Sequence, residues 1–275
     1  MILVTGATGT VGRCVVEQLA ALGEPVRALT RNPSRATFPT GVEVVGGDLT
    51  KPAELPLDDV TAVFLLAALD SEAVAEHAAA LAERVPRVVF LSSSAVAVRR
   101  PGSYETHEAV EKAIEQSGAE WTHLRPGEFM ANKLVWASSI KSANVVRAAY
   151  PDAIGVPIHE ADIAEVAVLA LRSPDHAGQA YFLTGPEALT HREQAAAIGR
   201  GLGREIGFET LTYGQARAAL IRDAGLPWDI AEYLMGYQSE HAQEPPSVSP
   251  VFERVTGHQG RTLTQWAADH AAELS

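Results

Sequence analysis

Residues 4–12, VTGATGTVG, constrain the fold more than any other stretch of this chain. A short apolar run (Ile2, Leu3, Val4) leads into them, and apolar residues at helical spacing (Val15, Val16, Leu19, Leu22) lead out. The pattern reads as strand, glycine turn, helix, with the glycines spaced GxxGxxG. One glycine permits the tight turn, the next lets the backbone approach a pyrophosphate, and the third lets helix and strand pack closely. Unpaired N–H groups and the helix dipole then favour phosphate at the helix start. Gly6, Thr8, Gly9, Thr10, Val11 and Gly12 are therefore expected to hold a dinucleotide.

The second strand, Pro25 to Leu29, ends in Thr30-Arg31-Asn32-Pro33. A carboxylate about 20 residues past the glycines would bind a bare ribose 2′-hydroxyl. None lies between Arg27 and Arg35; Arg31 stands nineteen positions after Gly12 instead. A guanidinium suits a 2′-phosphate, so Arg31, with Asn32 beside it, points to NADP(H). The other reading of Arg31 is a solvated surface side chain.

Strand and helix patterns then alternate. Val42 to Val45 precedes Gly46-Gly47-Asp48-Leu49, and Val60 to Ala67 is nearly all apolar, as for a parallel strand covered on both faces. An alanine-rich helix runs to about Glu83, a strand spans Arg87 to Leu91, and a helix from Tyr104 to Gln116 stops at Gly118. Trp121 to Leu124 forms another strand. Such alternation predicts a doubly wound parallel sheet of five or more strands, with ligand at their carboxyl ends. Those ends are the glycine loop, Arg31, Asp48-Leu49, Ala67-Ala68, Ser92 to Ser94 and Pro126-Gly127.

Past residue 127 the alternation loosens. Phe129 to Ala149 reads as helical or irregular, a helix at Glu160 to Leu171 and a strand at Ala180 to Leu183 return to the sheet, and Tyr213 to Ala224 and Trp228 to Tyr237 read as a cap. The expected organisation is a nucleotide-binding core over 1–127 and a small, mainly helical substrate lobe over 128–275, with about 155–185 returning to the sheet.

A net charge of −12 without any lysine–arginine cluster argues against nucleic acid or an anionic membrane as partner. The longest apolar stretch, Val60 to Leu69, is half of a bilayer span. Met1 leads straight into the first strand, so no cleaved leader is expected. The single cysteine, Cys14, permits no internal disulfide. A cytoplasmic monomer or homodimer is expected.

With these positions in hand, the chain resembles the NmrA-like, atypical short-chain dehydrogenase/reductase family, near its NADPH:quinone oxidoreductase-like members. The resemblance runs through MILVTGATGTVG, LTRNP, GGDL, LSSSAV, SGAEWTHLRPGEFMAN, ADIAEVA and YFLTGPEALTHRE. It implies an NADP(H)-binding Rossmann domain with a small C-terminal substrate lobe. Phosphates would lie on the glycine loop, adenine at Asp48 and Leu49, and nicotinamide beside Ala67, Ala68, Ser92, Pro126, Gly127 and Phe129.

The wider superfamily uses a serine and a Tyr-x-x-x-Lys pair, in which tyrosine donates the proton and lysine lowers its pKa. Here that register gives His107 and Glu111, while Tyr104 lies one turn earlier and Lys112 one position off. Ser94, His107 and Tyr104 are the candidate catalytic residues, and His107 shares its helical face with Val110 and Ile114. Losing a general acid costs about 10²–10⁴ in rate, which an acceptor forming a delocalised anion tolerates.

The substrate is expected to be small, planar and hydrophobic, lined by Ser93, Phe129, Asn132, Trp136, Trp228 and Tyr233. The histidines show no metal-ligand spacing, so no metal is expected. The function expected is NADPH-dependent hydride transfer to a quinone or a conjugated or aromatic carbonyl, without metal or flavin. A non-catalytic NADP(H) sensor and a non-redox isomerase or dehydratase are the alternatives.

Overall fold

A computed structural model describes residues 1–67, 72–101 and 104–275. β1 (Ile2–Val4), fully buried, enters the glycine turn and α1 (Thr10–Ala21) follows it. The chain continues through β2 (Val26–Thr30), β3 (Glu43–Gly46), β4 (Ala62–Leu65), α2 (Val74–Ala82), β5 (Arg87–Leu91), α3 (Ser94–Val98), α4 (Tyr104–Gln116) and β6 (Glu120–Pro126). A 3-10 turn (Met130–Trp136), α5 (Ala137–Ala143), β7 (Val145–Ala148) and β8 (Ile154–Gly155) come next. α6 (Glu160–Arg172) and β9 (Gln179–Leu183) precede β10 (Leu189–Thr190), α7 (His191–Gly201), β11 (Gly207–Thr210), α8 (Tyr213–Arg222) and α9 (Trp228–Gln243). Three short helices end the chain: α10 (Val251–Thr256), α11 (Leu263–Asp269) and α12 (Ala271–Leu274).

Two compact units divide these elements: residues 1–127, 160–183 and 251–258 form one, and 128–159, 184–250 and 259–275 the other. The first unit is built on a seven-stranded sheet in the order β3-β2-β1-β4-β5-β6-β9, with every pairing parallel. Order reverses beside β1, which pairs with β2 on one side and β4 on the other. A parallel sheet needs a crossover after each strand, and α1 with α6 and α2 with α4 supply the flanking layers. Leu3, Val63, Phe64, Val88 and Phe90 are fully buried, because both faces are covered. This is the doubly wound Rossmann arrangement expected from the alternation.

The second unit has shorter elements. β7 pairs in parallel with β11, β8 pairs antiparallel with β10, and Met130, Trp136, Ile140, Ile198 and Trp266 share one apolar core. Residues 129–149, expected helical or irregular, thus also contain a strand. Capping boxes start α7 (Thr190 with Glu193), α8 (Thr212 with Gln215) and α11 (Thr262 with Gln265). Each settles one hydroxyl and one acidic or amide side chain on otherwise orphan N–H groups.

Candidate functional site

The glycine turn has the geometry that its sequence requires. Gly6 takes φ +57, and a Cβ there would sit 2.6 Å from Leu66 Cδ2. A Cβ on Gly12 would lie 2.2 Å from the carbonyl oxygen of Gly6, so only glycine lets α1 pack this close to the loop. Gly9, the residue before α1, supplies no side-chain cap, and the first turn holds no acidic residue. Thr8, Gly9 and Thr10 are exposed, whereas Val11 and Gly12 are buried. A bare backbone cradle at a helix start fits a pyrophosphate.

Around this loop lie the carboxyl ends of β2 to β4. Arg31 and Asn32 are exposed, and the N–H of Asn32 donates to Thr30 Oγ1 over 3.2 Å. Arg31 makes no ion pair among the described residues, whereas Arg27 is consumed by Glu43 at 2.9 Å and by the carbonyls of Pro56 and Asp58. Arg27 is therefore structural. Asp48 accepts from both the N–H and the hydroxyl of Thr50 at 2.9 Å, which hold its carboxyl below the usual range. Leu49 and Ala67 come together in one small pocket with Leu65, Val74 and His77. The buried Nδ1 of His77 has no hydrogen-bond partner among the described residues. Its place in this pocket had no sequence signal, since α2 carries it there. Ala68 lies outside the described residues.

The ends of β5 and β6 hold the densest polar group. Ser92 Oγ donates to Glu111 Oε1 over 2.5 Å, and Arg125 grips the same carboxylate with Nε at 2.9 Å and Nη2 at 2.5 Å. Ser92 and Glu111 are buried. Burial raises the Glu111 carboxyl pKa, but the hydrogen bonds from Arg125 and Ser92 outweigh it and leave the pKa lowered. Beside them, burial pushes His123 down to about 4, so this imidazole is neutral at pH 7. Its Nε2 lies 3.2 Å from Glu115 Oε1. Glu111, Glu115 and His123 bring their ligand atoms within 4.8 Å of one another. Arg125, however, already holds both Glu111 oxygens, so that carboxylate is committed to a guanidinium.

Ser93 Oγ accepts from the N–H of Ala95 and so caps α3. The half-buried Ser94 has no side-chain partner among the described residues. Tyr104 lies under the Arg99 guanidinium, 5.0 Å from its ring centre, and His107 is half-buried on the same helix as the fully buried Val110 and Ile114. Pro126 is buried, and the N–H of Gly127 donates to the Leu183 carbonyl over 2.9 Å, which ends β6 against β9.

The remaining predicted substrate residues belong to the second unit. Phe129 is half-buried and bridges Ile158, Asn132 is exposed, and Trp136 is buried in the apolar core with Lys133 over its ring at 4.9 Å. Trp228 (61 % exposed) and Tyr233 (39 %) stand on α9. Of these aromatics, Trp136 has a packing role, while Trp228 and Tyr233 present open surface.

Residues 6–174 match the family model described as NAD(P)H-binding. The chain belongs to that family. A (4-alkanoyl-5-oxo-2,5-dihydrofuran-3-yl)methyl phosphate reductase from Streptomyces griseus is 44 % identical over 98 % of both chains. An NAD(P)H azoreductase from Xenophilus azovorans is 33 % identical over 99 % of this chain and 98 % of that one. The NADPH complex of the quinone oxidoreductase QOR2 from Escherichia coli superposes with a TM-score of 0.81 at 25 % identity, covering 98 % of this chain and 99 % of its own. The family member is an NAD(P)H-dependent oxidoreductase, and both the family model and the NADPH-bound neighbour support NADP(H) as its cofactor. The resemblance read from the motifs, to NmrA-like reductases near the quinone oxidoreductases, stands. Among the described residues no helix is long and apolar enough to cross a membrane.

Proposed function

We propose that this protein is an NADPH-dependent reductase of a conjugated carbonyl compound whose reduced anion is spread over two carbonyl groups. The supporting observation is the buried Glu111–Arg125 pair. It fills the register where related enzymes hold the lysine that sharpens a tyrosine acid, so the chain has no strong proton donor there. The substrate must then form an anion stable enough to take its proton from water or from a weak donor. A ring alkene flanked by an acyl group and a lactone carbonyl, as named for the Streptomyces griseus relative, meets that demand. A quinone, as named for a 28 % identical Escherichia coli relative, meets it too.

When bound, the cofactor supplies a hydride. Gly6 to Gly12 would hold its pyrophosphate through backbone N–H groups, Arg31 its 2′-phosphate, and Asp48 and Leu49 its adenine end. Ala67, Ser92, Pro126 and Gly127 would border the nicotinamide end. Ser94, with its hydroxyl unengaged within the described chain, is the group proposed to donate a hydrogen bond to the substrate carbonyl oxygen. There it would stabilise the growing negative charge as oxyanion donors do. Trp228 and Tyr233, aromatic side chains of α9 with open surface, are proposed as acceptor-binding residues.

Purified protein would be mixed with NADPH and a panel of 2-acyl butenolides, quinones and aromatic ketones, beside titrations with NADPH and NADH. Loss of NADPH absorbance with the conjugated acceptors is expected. Arg31→Ala should weaken NADPH by about tenfold or more, the worth of a charge-assisted contact, with little change for NADH. Tight NADPH binding with no oxidation by any acceptor would replace this reading with a sensor.

A further inference from the structure

We propose that Glu111 is a positioning residue that acts on the reaction through the serine turn after β5. The inference rests on the reading of Ser94 as donor to the substrate carbonyl.

Glu111 itself is only 2 % exposed. Its two oxygens receive three hydrogen bonds, one from Ser92 and two from Arg125. It therefore has no reach to a substrate. It does have reach to the turn. Ser92 is pinned at its hydroxyl by Glu111 and at its N–H by the Leu124 carbonyl, 2.8 Å away. Ser93 is committed to capping α3. Ser94 follows directly, two residues from the pinned hydroxyl. A single carboxylate on α4 thus fastens β6, through Arg125, to the turn that presents Ser94.

Energetics favour a positional role over simple packing. Taking a carboxylate and a guanidinium out of water costs stability, and apolar residues of similar volume fill such space as well or better. The bidentate fork does what apolar packing cannot: it fixes direction as well as distance. Where the superfamily places a lysine that works directly on the reacting groups, this chain has a carboxylate that works one step removed.

The test compares Glu111→Gln, Ser94→Ala and the double variant in kcat, NADPH dissociation constant and melting temperature. Glu111→Gln keeps an acceptor for Ser92 but breaks the charged fork. Misplacing a reacting group by an ångström costs up to about 100-fold, so kcat is expected to fall about tenfold or more while NADPH binding changes less than about twofold. Ser94→Ala should lower kcat similarly, and the double variant should lose no more than the larger single loss. Multiplying losses would overturn the inference and leave the role of Ser94 intact. An unchanged kcat in Ser94→Ala would overturn the reading of Ser94 and this inference with it. A loss of kcat in Glu111→Gln matched by an equal loss of NADPH affinity would mark a merely structural pair. If Glu111→Gln does not fold, Arg125→Lys, which keeps the charge but not the fork, takes its place with the same three outcomes.

Discussion

Among the described residues, each unit holds a largely buried ion pair beside a histidine whose pKa falls to about 4. In the first, Arg125 of β6 clasps Glu111 of α4 with two bonds and Ser92 joins from the end of β5. In the second, Lys133 meets Glu128, five residues away, with a single bond of 2.6 Å inside one turn. The first pair fastens α4 to β6 and to the end of β5; the second stiffens a local bend. Similar chemistry therefore serves long-range order in one unit and local order in the other. The reach follows from which elements the packing brings together, and the cations suit it: a rigid planar fork in the first, a point charge on a flexible stem in the second.

The largest test of that contrast is Glu111→Ala. It leaves the Arg125 guanidinium largely desolvated and unpaired, so unfolding by urea should show a loss of about 3–5 kcal/mol. Lys133→Met should cost about 1–2 kcal/mol, because the side-chain volume is kept and Glu128, 16 % exposed, retains access to water. Equal losses would erase the distinction between fastener and bend.

Acid should strike both units together. Desolvation is the main cause of the low pKa of His123, which faces Glu111, Glu115 and Arg125, and of His191, which faces Lys133, Glu128, His241 and the Ala149 carbonyl. The unfolded chain takes up protons on both near pH 6.5, the folded chain only near 4. Stability is therefore intact above about 6.5 and falls as pH drops toward 4, by on the order of 3 kcal/mol for each histidine. His191→Gln should flatten that slope by about half in a series of urea melts; an unchanged slope would place the acid sensitivity elsewhere.

Gly12→Ala acts on the first unit alone. The added Cβ would meet the Gly6 carbonyl at 2.2 Å, and overpacking of that kind costs about 1–3 kcal/mol. Calorimetric titration should show NADPH binding weakened about tenfold or more if the loop is the phosphate cradle proposed above. The smallest effect belongs to Trp228→Ala on exposed α9. Stability should move by less than about 0.5 kcal/mol, while KM for the acceptor rises; an unchanged KM would remove Trp228 from the proposed substrate residues.

Much of the first unit was legible because parallel strands covered on both faces must be apolar and must alternate with helices. Arg87–Leu91 and Tyr104–Gln116 have the boundaries that their residues announced, and Glu160–Arg172 ends one residue later. The second unit was harder to read. β7, β8, β10 and β11 run two to four residues, too short for a period to show, and β7 finds its partner at Gly207. One signal there is local: Thr190-x-x-Glu193 announces the start of α7.

The sequence by itself determined the glycine turn and marked the proposed nucleotide end of the site. Its requirements are local: glycines where a Cβ would collide, a helix start with no cap, and an arginine where a carboxylate would otherwise stand. Glu111 shows the opposite case. Its register was readable, and it read as a lost lysine. Only the packing of α4 against the ends of β5 and β6 decided that this carboxylate would meet Arg125, fourteen residues on, and Ser92, nineteen residues back. A hydrogen-bonded charge pair is set by which surfaces are brought together and kept from water, and spacing along the chain does not encode that.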